Sequence, residues 1–565
     1  FSNYTARIMY AGALGEQDGR EVAFINETLQ TRLLQPANYN SFNSFNQYST
    51  FVEQPRIGGN VQALTGSYDS NAVLAETFGA LPDQNLSFQA AYFDSETDGW
   101  NDIYNADITA VSSILKWDVG LRDSFLLTFD DFDRDRRGNP LRRFEADFEA
   151  DPNQFDEFEL TQFELGYRHN FRPGTDLLAY LSYADQEVTD GFRDSTFISA
   201  PPIANVTFLD IQEQKRNQDF WLAQLQGNML TDKHRIIAGT SHYFGDNDVK
   251  RQDRIVQITE LLIPGIVDVT DTLNEAASRD DDRSFHSAYI QDTWSVTDSL
   301  DITGGLYYER LENSEPLVDD DWDTDGWNPR FGVVYRASDR DTIRLAALKY
   351  IAPFFSPQIS PTELAGLTIY RNYREATEVD NAELAWERAW GTGFTAVSAF
   401  WSEGESEVRI VPNVPFGDEN RFVDINEANF DNRLAGGEAE INQLIYDYWG
   451  IVGRYLYADV ENEAFPDLDR REHRITVELN YIHPSGFSTE LVQGFRSLNF
   501  DDGTERETIF YTNLGLQYRT PNRILTTAVV VRNIFDQEFN WVTDQFTLDG
   551  EIPDRNIFGS IEVSF

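Results

Sequence analysis

The 565-residue sequence contains no cysteine, so disulfides, thiolate metal sites and cysteine nucleophiles are excluded. It also lacks any apolar run of the roughly 18 residues that a membrane-crossing helix needs, although 41% of its residues are hydrophobic. A helical membrane protein is thereby excluded. A membrane barrel is not, because each wall strand is apolar only at every second position. Basic residues are scarce: 45 Lys and Arg stand against 95 Asp and Glu, a formal net charge of −50. So acidic a chain is not expected to bind nucleic acid. Its charge solvates the surface, or attracts cations as cargo or as bridges to anionic lipopolysaccharide. The six histidines, His169, His234, His242, His286, His473 and His483, include no two that lie three or four residues apart, so no metal-ligand pair is visible. No catalytic motif singles itself out, and the chain is not expected to be an enzyme.

Aromatic residues, in contrast, are plentiful at 14%. They suit the girdles that mark the two lipid interfaces of a membrane barrel. Alternation is the main structural signal. In "RITVELNYI", Ile475, Val477, Leu479 and Tyr481 share one face, and Arg474, Thr476, Glu478 and Asn480 the other. In "SLDITGGLYYE", Leu300, Ile302, Leu306 and Tyr308 alternate with Asp301, Thr303, Tyr307 and Glu309. At the C-terminus, Ile557, Ile561, Val563 and Phe565 fall opposite Ser560, Glu562 and Ser564. Charged residues on every second position argue for a wet interior facing an apolar exterior.

Short turn signals recur at "RPGT" 172–175, "TDK" 231–233, "VTDS" 296–299, "ASDRD" 337–341, "HPSG" 483–486 and "TPN" 520–522. Between them the alternation fails over longer polar stretches, among them 189–205, 247–283, 315–328, 353–376 and 406–429, several strongly acidic. The rhythm predicts an all-β, integral outer-membrane antiparallel β-barrel of about 22 strands, with short periplasmic turns and long acidic extracellular loops. Strands are expected near 25–35, 57–69 and 84–97 and onward to 556–565. Residues 1–56 form an N-terminal segment with the first strand or strands, partly within the lumen, and 57–565 form the barrel. A soluble aromatic-rich β protein is the competing class.

Three stretches resemble the barrel of TonB-dependent outer-membrane receptors: "AYIQDTWSVTDSLDITGGLYYER" (288–310), "NPRFGVVYRASDRDTIRLAALKYIAPF" (328–354) and "VVVRNIFDQEF" (529–539) followed by "PDRNIFGSIEVSF". In the last, Asn533, Phe535, Asp536 and Phe539 hold the family's closing-hairpin pattern, and Phe565 is its terminal aromatic. The resemblance implies the outer membrane of a Gram-negative bacterium, transport, and contact with outer-membrane lipid and lipopolysaccharide. It also implies a plug, for which the sequence shows neither room nor an energy-coupling box. The expectation is a plugless, porin-like relative, or one that works with a periplasmic or plug partner.

Function is expected to be passage or uptake of an unknown solute or polymer through a polar lumen, whose electrostatics Asp301, Glu309, Arg474 and Glu478 would set. A sealed structural barrel that displays loops for a surface assembly, and an export pore, are the alternatives. One loop motif carries metal chemistry. "DWDTDG" places Asp321, Asp323, Asp325 and Gly326 at the spacing of the first half of a calcium loop, with Asp319 and Asp320 able to add oxygens. Its twelfth position is Gly332 rather than Glu, so Ca2+ is the one cofactor expectation, on an incomplete motif.

Overall fold

In lipid, every main-chain N–H and C=O must find a partner within the protein, and a strand can do so only in a sheet without edges. The chain meets that demand. In a computed structural model, residues 57–565 are described except 82–84, 99–104, 138–153, 201–203, 262–266, 315–321, 354–358, 362, 369–376, 409–427, 463–468, 501–505, 523, 538–539, 543–548 and 552–554. The strands are β1 (Ile57–Gly66), β2 (Asn71–Leu81), β3 (Leu86–Thr97), β4 (Asn105–Val119), β5 (Asp123–Arg137), β6 (Gln154–Arg172), β7 (Thr175–Ala200), β8 (Ala204–Leu230), β9 (His234–Leu261), β10 (Val267–Thr297), β11 (Leu300–Ser314), β12 (Trp322–Arg336) and β13 (Asp341–Ile351). There follow β14 (Glu363–Leu364), β15 (Leu367–Thr368), β16 (Glu378–Trp390), β17 (Gly393–Val408), β18 (Ala428–Tyr446), β19 (Trp449–Asn462), β20 (Arg470–Ile482), β21 (Phe487–Phe500), β22 (Arg506–Arg519), β23 (Leu525–Arg532), β24 (Asn540–Val542), β25 (Asp549–Glu551) and β26 (Asn556–Ser564).

Twenty-two of these form one antiparallel sheet in chain order, and β26 pairs with both β23 and β1 to close it. The seam is complete to its last residue. Gly59 N donates to Phe565 O at 3.0 Å and Phe565 N to Gly59 O at 2.9 Å. The short turns lie where the sequence placed them. At Gly486 (φ 91°) the left-handed backbone leaves no space for a side chain, since a Cβ would sit 1.8 Å from Arg519 O. β14 and β15 stand apart from the wall as a small hairpin in the connection between β13 and β16.

The sheet is inside-out relative to a water-soluble protein. Leu384, Ile290, Phe163 and Ile561 are about half exposed, whereas Glu309, Arg330, Gln226 and Glu440 are buried. Aromatic pairs collect at two heights on the outer face. Trp117–Phe125, Phe125–Tyr167 and Trp449–Tyr481 lie beside the short turns. Tyr183–Trp221, Tyr308–Trp327 and Phe495–Phe510 lie eight or nine residues further along their strands. At about 3.4 Å per residue and a tilt near 40°, that separation is roughly 20–25 Å, the height of an apolar belt.

Two expectations are revised, and a third, the strand near 25–35, lies outside the described residues. β2, over 71–81, was not expected. Its inner face carries Ala72 and Leu74, packed with Phe93 and Ile108, so apolar residues on both faces hide the period of two. The stretches 189–205 and 247–283 are largely not loops: β7 to β10 run on as paired strands of 26, 27, 28 and 31 residues. Main-chain pairing continues there although the alternation in the sequence is lost. Replacing lipid-facing Leu384 by Arg is expected to cost about 2–4 kcal/mol if it lies at midplane, read as a lower denaturant midpoint in micelles and loss of the compact form on unboiled gels.

Candidate functional site

The inner face of the barrel is the candidate site. Side chains there alternate with lipid-facing ones, so each strand sends every second residue into the lumen. On β7 to β11 much of the wall is made of hydrogen-bonded amides, hydroxyls and aromatic rings. Gln224 Nε2 donates to Ser241 Oγ (3.0 Å), Gln226 Nε2 to Asn228 Oδ1 (2.9 Å) and Tyr289 OH to Gln226 Oε1 (2.8 Å). Tyr289 stacks on Tyr307 with centroids 5.0 Å apart, and the Arg330 guanidinium lies 3.5 Å over the Tyr307 ring.

Glu309 lies at the centre of this corner. It accepts hydrogen bonds from Asn328 Nδ2 (2.5 Å), the Ile351 main-chain N–H (2.9 Å) and Arg330 Nη2 (3.4 Å). A buried carboxylate needs such company, since an ion removed from water without partners costs several kcal/mol. Further around the wall, two more charge clusters line β18 to β21. Arg454 bridges Glu440 Oε2 (3.0 Å) and Glu478 Oε1 (2.5 Å). Glu472 Oε1 accepts from Arg474 Nη2 (2.7 Å) and Arg496 Nε (2.8 Å).

All four lumen residues expected from sequence point inward, and each is held in an ion pair. Asp301 accepts from Arg336 Nη2 at 2.7 Å. Glu309 pairs with Arg330, Arg474 with Glu472, and Glu478 with Arg454. The structure does not bring the four to one point. They belong to separate clusters along the wall. Their partners Arg336, Arg330, Glu472 and Arg454, and the further cluster members Glu440 and Arg496, were not named from sequence. Cross-strand register would have found part of the clusters, since Glu440 stands opposite Arg454 and Arg474 opposite Arg496, but not Arg330 or Arg336, which do not stand opposite Glu309 and Asp301.

The described part of the calcium motif, from residue 322 on, is an extended strand. Asp323 and Asp325 lie on β12, paired with β11 opposite Glu312 and Arg310, and Gly326 sits in the ladder opposite Glu309 rather than in a sharp turn. Tyr308 OH donates to Asp325 Oδ2 at 3.1 Å, and Arg310 Nη2 to Asp323 Oδ2 at 3.5 Å. These two carboxylates therefore do not converge. Asp319, Asp320 and Asp321 lie outside the described residues, among which no group of three or more His, Asp or Glu could hold a metal ion.

The closing-hairpin residues act on the main chain. Asn533 (φ 46°) donates from Nδ2 to Gln537 O (2.7 Å) and accepts from Gln537 N–H at Oδ1 (3.1 Å). Asp536 (φ 55°) accepts from the Arg555 N–H (2.7 Å), tying the start of the turn to the approach of β26. Phe535 and Phe565 are exposed, and Phe539 lies outside the described residues. Sequence spacing along the chain also missed one pair. His242 and His286, 44 residues apart, face each other across β9 and β10 with Nδ1 atoms 3.0 Å apart.

A family profile described as TonB dependent receptor-like, beta-barrel matches residues 99–534. No curated protein sequence matches the chain. Among solved structures, the barrel is similar to the ferripyoverdine receptor of the outer membrane of Pseudomonas aeruginosa (TM-score 0.65, 15% identity), covering 91% of this chain and 72% of that one. It is also similar to the ferric citrate transporter FecA (TM-score 0.65, 14% identity, 90% and 78% covered). The ferric preacinetobactin receptor of Acinetobacter baumannii gives TM-score 0.64 at 12% identity, with 91% and 80% covered. At such identities these likenesses establish the fold.

The Glu309 corner generates a stability test. Glu309→Ala strands Arg330 without its carboxylate and is expected to destabilise by about 3–5 kcal/mol, whereas adding Arg330→Met recovers most of the loss. Denaturant titration of the folded barrel in micelles measures both.

Proposed function

Because the chain belongs to the TonB dependent receptor-like β-barrel family of the Gram-negative outer membrane, we propose that it passes a polar solute or polymer through its lumen. The inside-out wall carries this reading. Apolar residues meet lipid on one face, and hydrogen-bonded amides and ion pairs line the other. A barrel of 22 strands encloses more space than wall side chains can fill. The solved relatives are named for ferripyoverdine, ferric citrate and ferric preacinetobactin, which makes a polar metal chelate the first cargo class to test. A periplasmic or plug partner and contact with lipopolysaccharide belong to the same reading.

A sealed, loop-displaying barrel is the second reading. It is favoured by the hairpin of β14 and β15, which lies inside the wall, and by the buried state of several lumen ion pairs.

Charge favours cations. Among the described residues, the buried inner wall carries the carboxylates Glu76, Glu309, Glu383, Glu387, Glu438, Glu440 and Glu472 against Lys116, Arg330, Arg344, Arg474 and Arg496. In planar bilayers the chain is expected to give discrete current steps. Under a salt gradient its reversal potential should show cation preference, and the steps should persist when calcium is removed. Verified insertion without current would reject passage and favour the sealed barrel.

A further inference from the structure

The connection between β13 and β16 leaves the wall and returns to it at one point, where Ala352 N–H donates to Thr377 O at 2.8 Å. Between these ends its described residues, 359–361 and 363–368, lie inside the barrel. Ile359, Leu364 and Leu367 are at most 2% exposed. Leu364 and Leu367 pack on inner-face residues of β13 and β16, among them Ala346, Leu348, Tyr350 and Ala385. Ile359 joins a different cluster, with Leu178, Tyr180, Leu222 and Tyr243 on β7 to β9. Both seats are apolar patches on a face that is elsewhere largely polar. Each exposes the kind of surface that a water-filled lumen would leave wet, and each is covered by this one segment.

Polar contacts fix the same segment at three places. Ile359 N–H donates to Gln224 Oε1 on β8 (3.1 Å), and Arg330 Nη1 on β12 to Pro361 O (3.5 Å). Arg344 on β13 donates from Nη1 to Ala365 O (2.9 Å) while its Nε donates to Glu387 Oε1 (2.8 Å). β8 and β13 are five strands apart around the wall, so the segment crosses a chord of the lumen. Its turn, Ala365–Gly366, has φ of 56° and 78°, the consecutive left-handed pair of a two-residue hairpin. A Cβ on Gly366 would meet Arg344 Nη1 at 2.6 Å. The tip lies level with Arg344, seven residues below Ile351, which at about 3.4 Å per residue and barrel tilt is a descent of roughly 15–20 Å.

We propose that the described residues 359–361 and 363–368 form a built-in constriction, a strap seated across the lumen that sets the size limit for solutes. This rests on the transport reading and adds to it the element that limits passage. The strap is held by main-chain carbonyls against buried arginines, so it stays seated without a ligand.

The cysteine-free sequence allows a direct test. A Cβ added at Gly332 would lie 3.1 Å from Ala365 Cβ, close to the separation of about 3.5–4.5 Å that a disulfide needs. In the folded full chain, the pair G332C and A365C is expected to cross-link on mild oxidation, seen as faster migration on non-reducing denaturing gels, and to leave liposome swelling by sugars unchanged. Replacing 359–368 with a Gly-Ser linker is expected to raise swelling rates several-fold and to admit larger sugars, with unaltered mobility on unboiled gels. Failure to cross-link overturns the strap's position. A linker variant with the parent's size limit overturns its role while leaving transport intact. If parent and linker variant are both impermeable after verified insertion, the transport reading fails as well. An impermeable parent with a permeable linker variant overturns the size-limit role, since the strap then seals the barrel, in agreement with the second reading.

Discussion

One constraint underlies this molecule: main-chain hydrogen bonds cannot be left open in hydrocarbon. It forces a sheet with no edge, and that in turn forces a cylinder with two chemically opposite faces. The outer face follows the lipid, with Leu384 and Ile561 in the belt and paired aromatics at its two margins. Within the lipid belt, charge is then placed on the inner face. Since space there is limited by neighbouring side chains, charges are arranged in compensated groups such as Glu309–Arg330 and Glu440–Arg454–Glu478.

Such groups have a structural cost and a functional use. Each pair gives up hydration, and good geometry recovers only part of it. In return, the lumen is lined with fixed dipoles and charges rather than long mobile side chains. Rigid elements of this kind define a path for a polar solute more sharply than a loop could.

The wall was readable from sequence wherever one face was polar. "RITVELNYI" became β20 with Arg474 and Glu478 inward, and the residues from Ile557 to Phe565 became the closing strand with their apolar face outward. β2 was not legible, because Ala72 and Leu74 pack inside while Val73 faces out. Nor was the continuation of β7 to β10, where main-chain pairing runs on past the point at which the alternation is lost. The direction of the lumen residues could be read, but not their partners, which depend on strand register. The hairpin at 363–368 was likewise hidden, since its seat is built from strands far apart in the chain and its own sequence is only six residues long.

The seam between β1 and β26 also governs the order of events in time. Ser67 and Ile557, 490 residues apart, meet across it, and Gly59 bonds to the final residue. Neighbouring strands elsewhere can pair as hairpins within microseconds, but this contact has no local precursor. The cylinder therefore cannot exist until the last strand has been delivered. Until then β1 and β23 both present open edges, which are the features most prone to pairing with another chain. Closure is a late, slow event set by topology, and the interval before it is when this protein most needs to be kept apart from its neighbours.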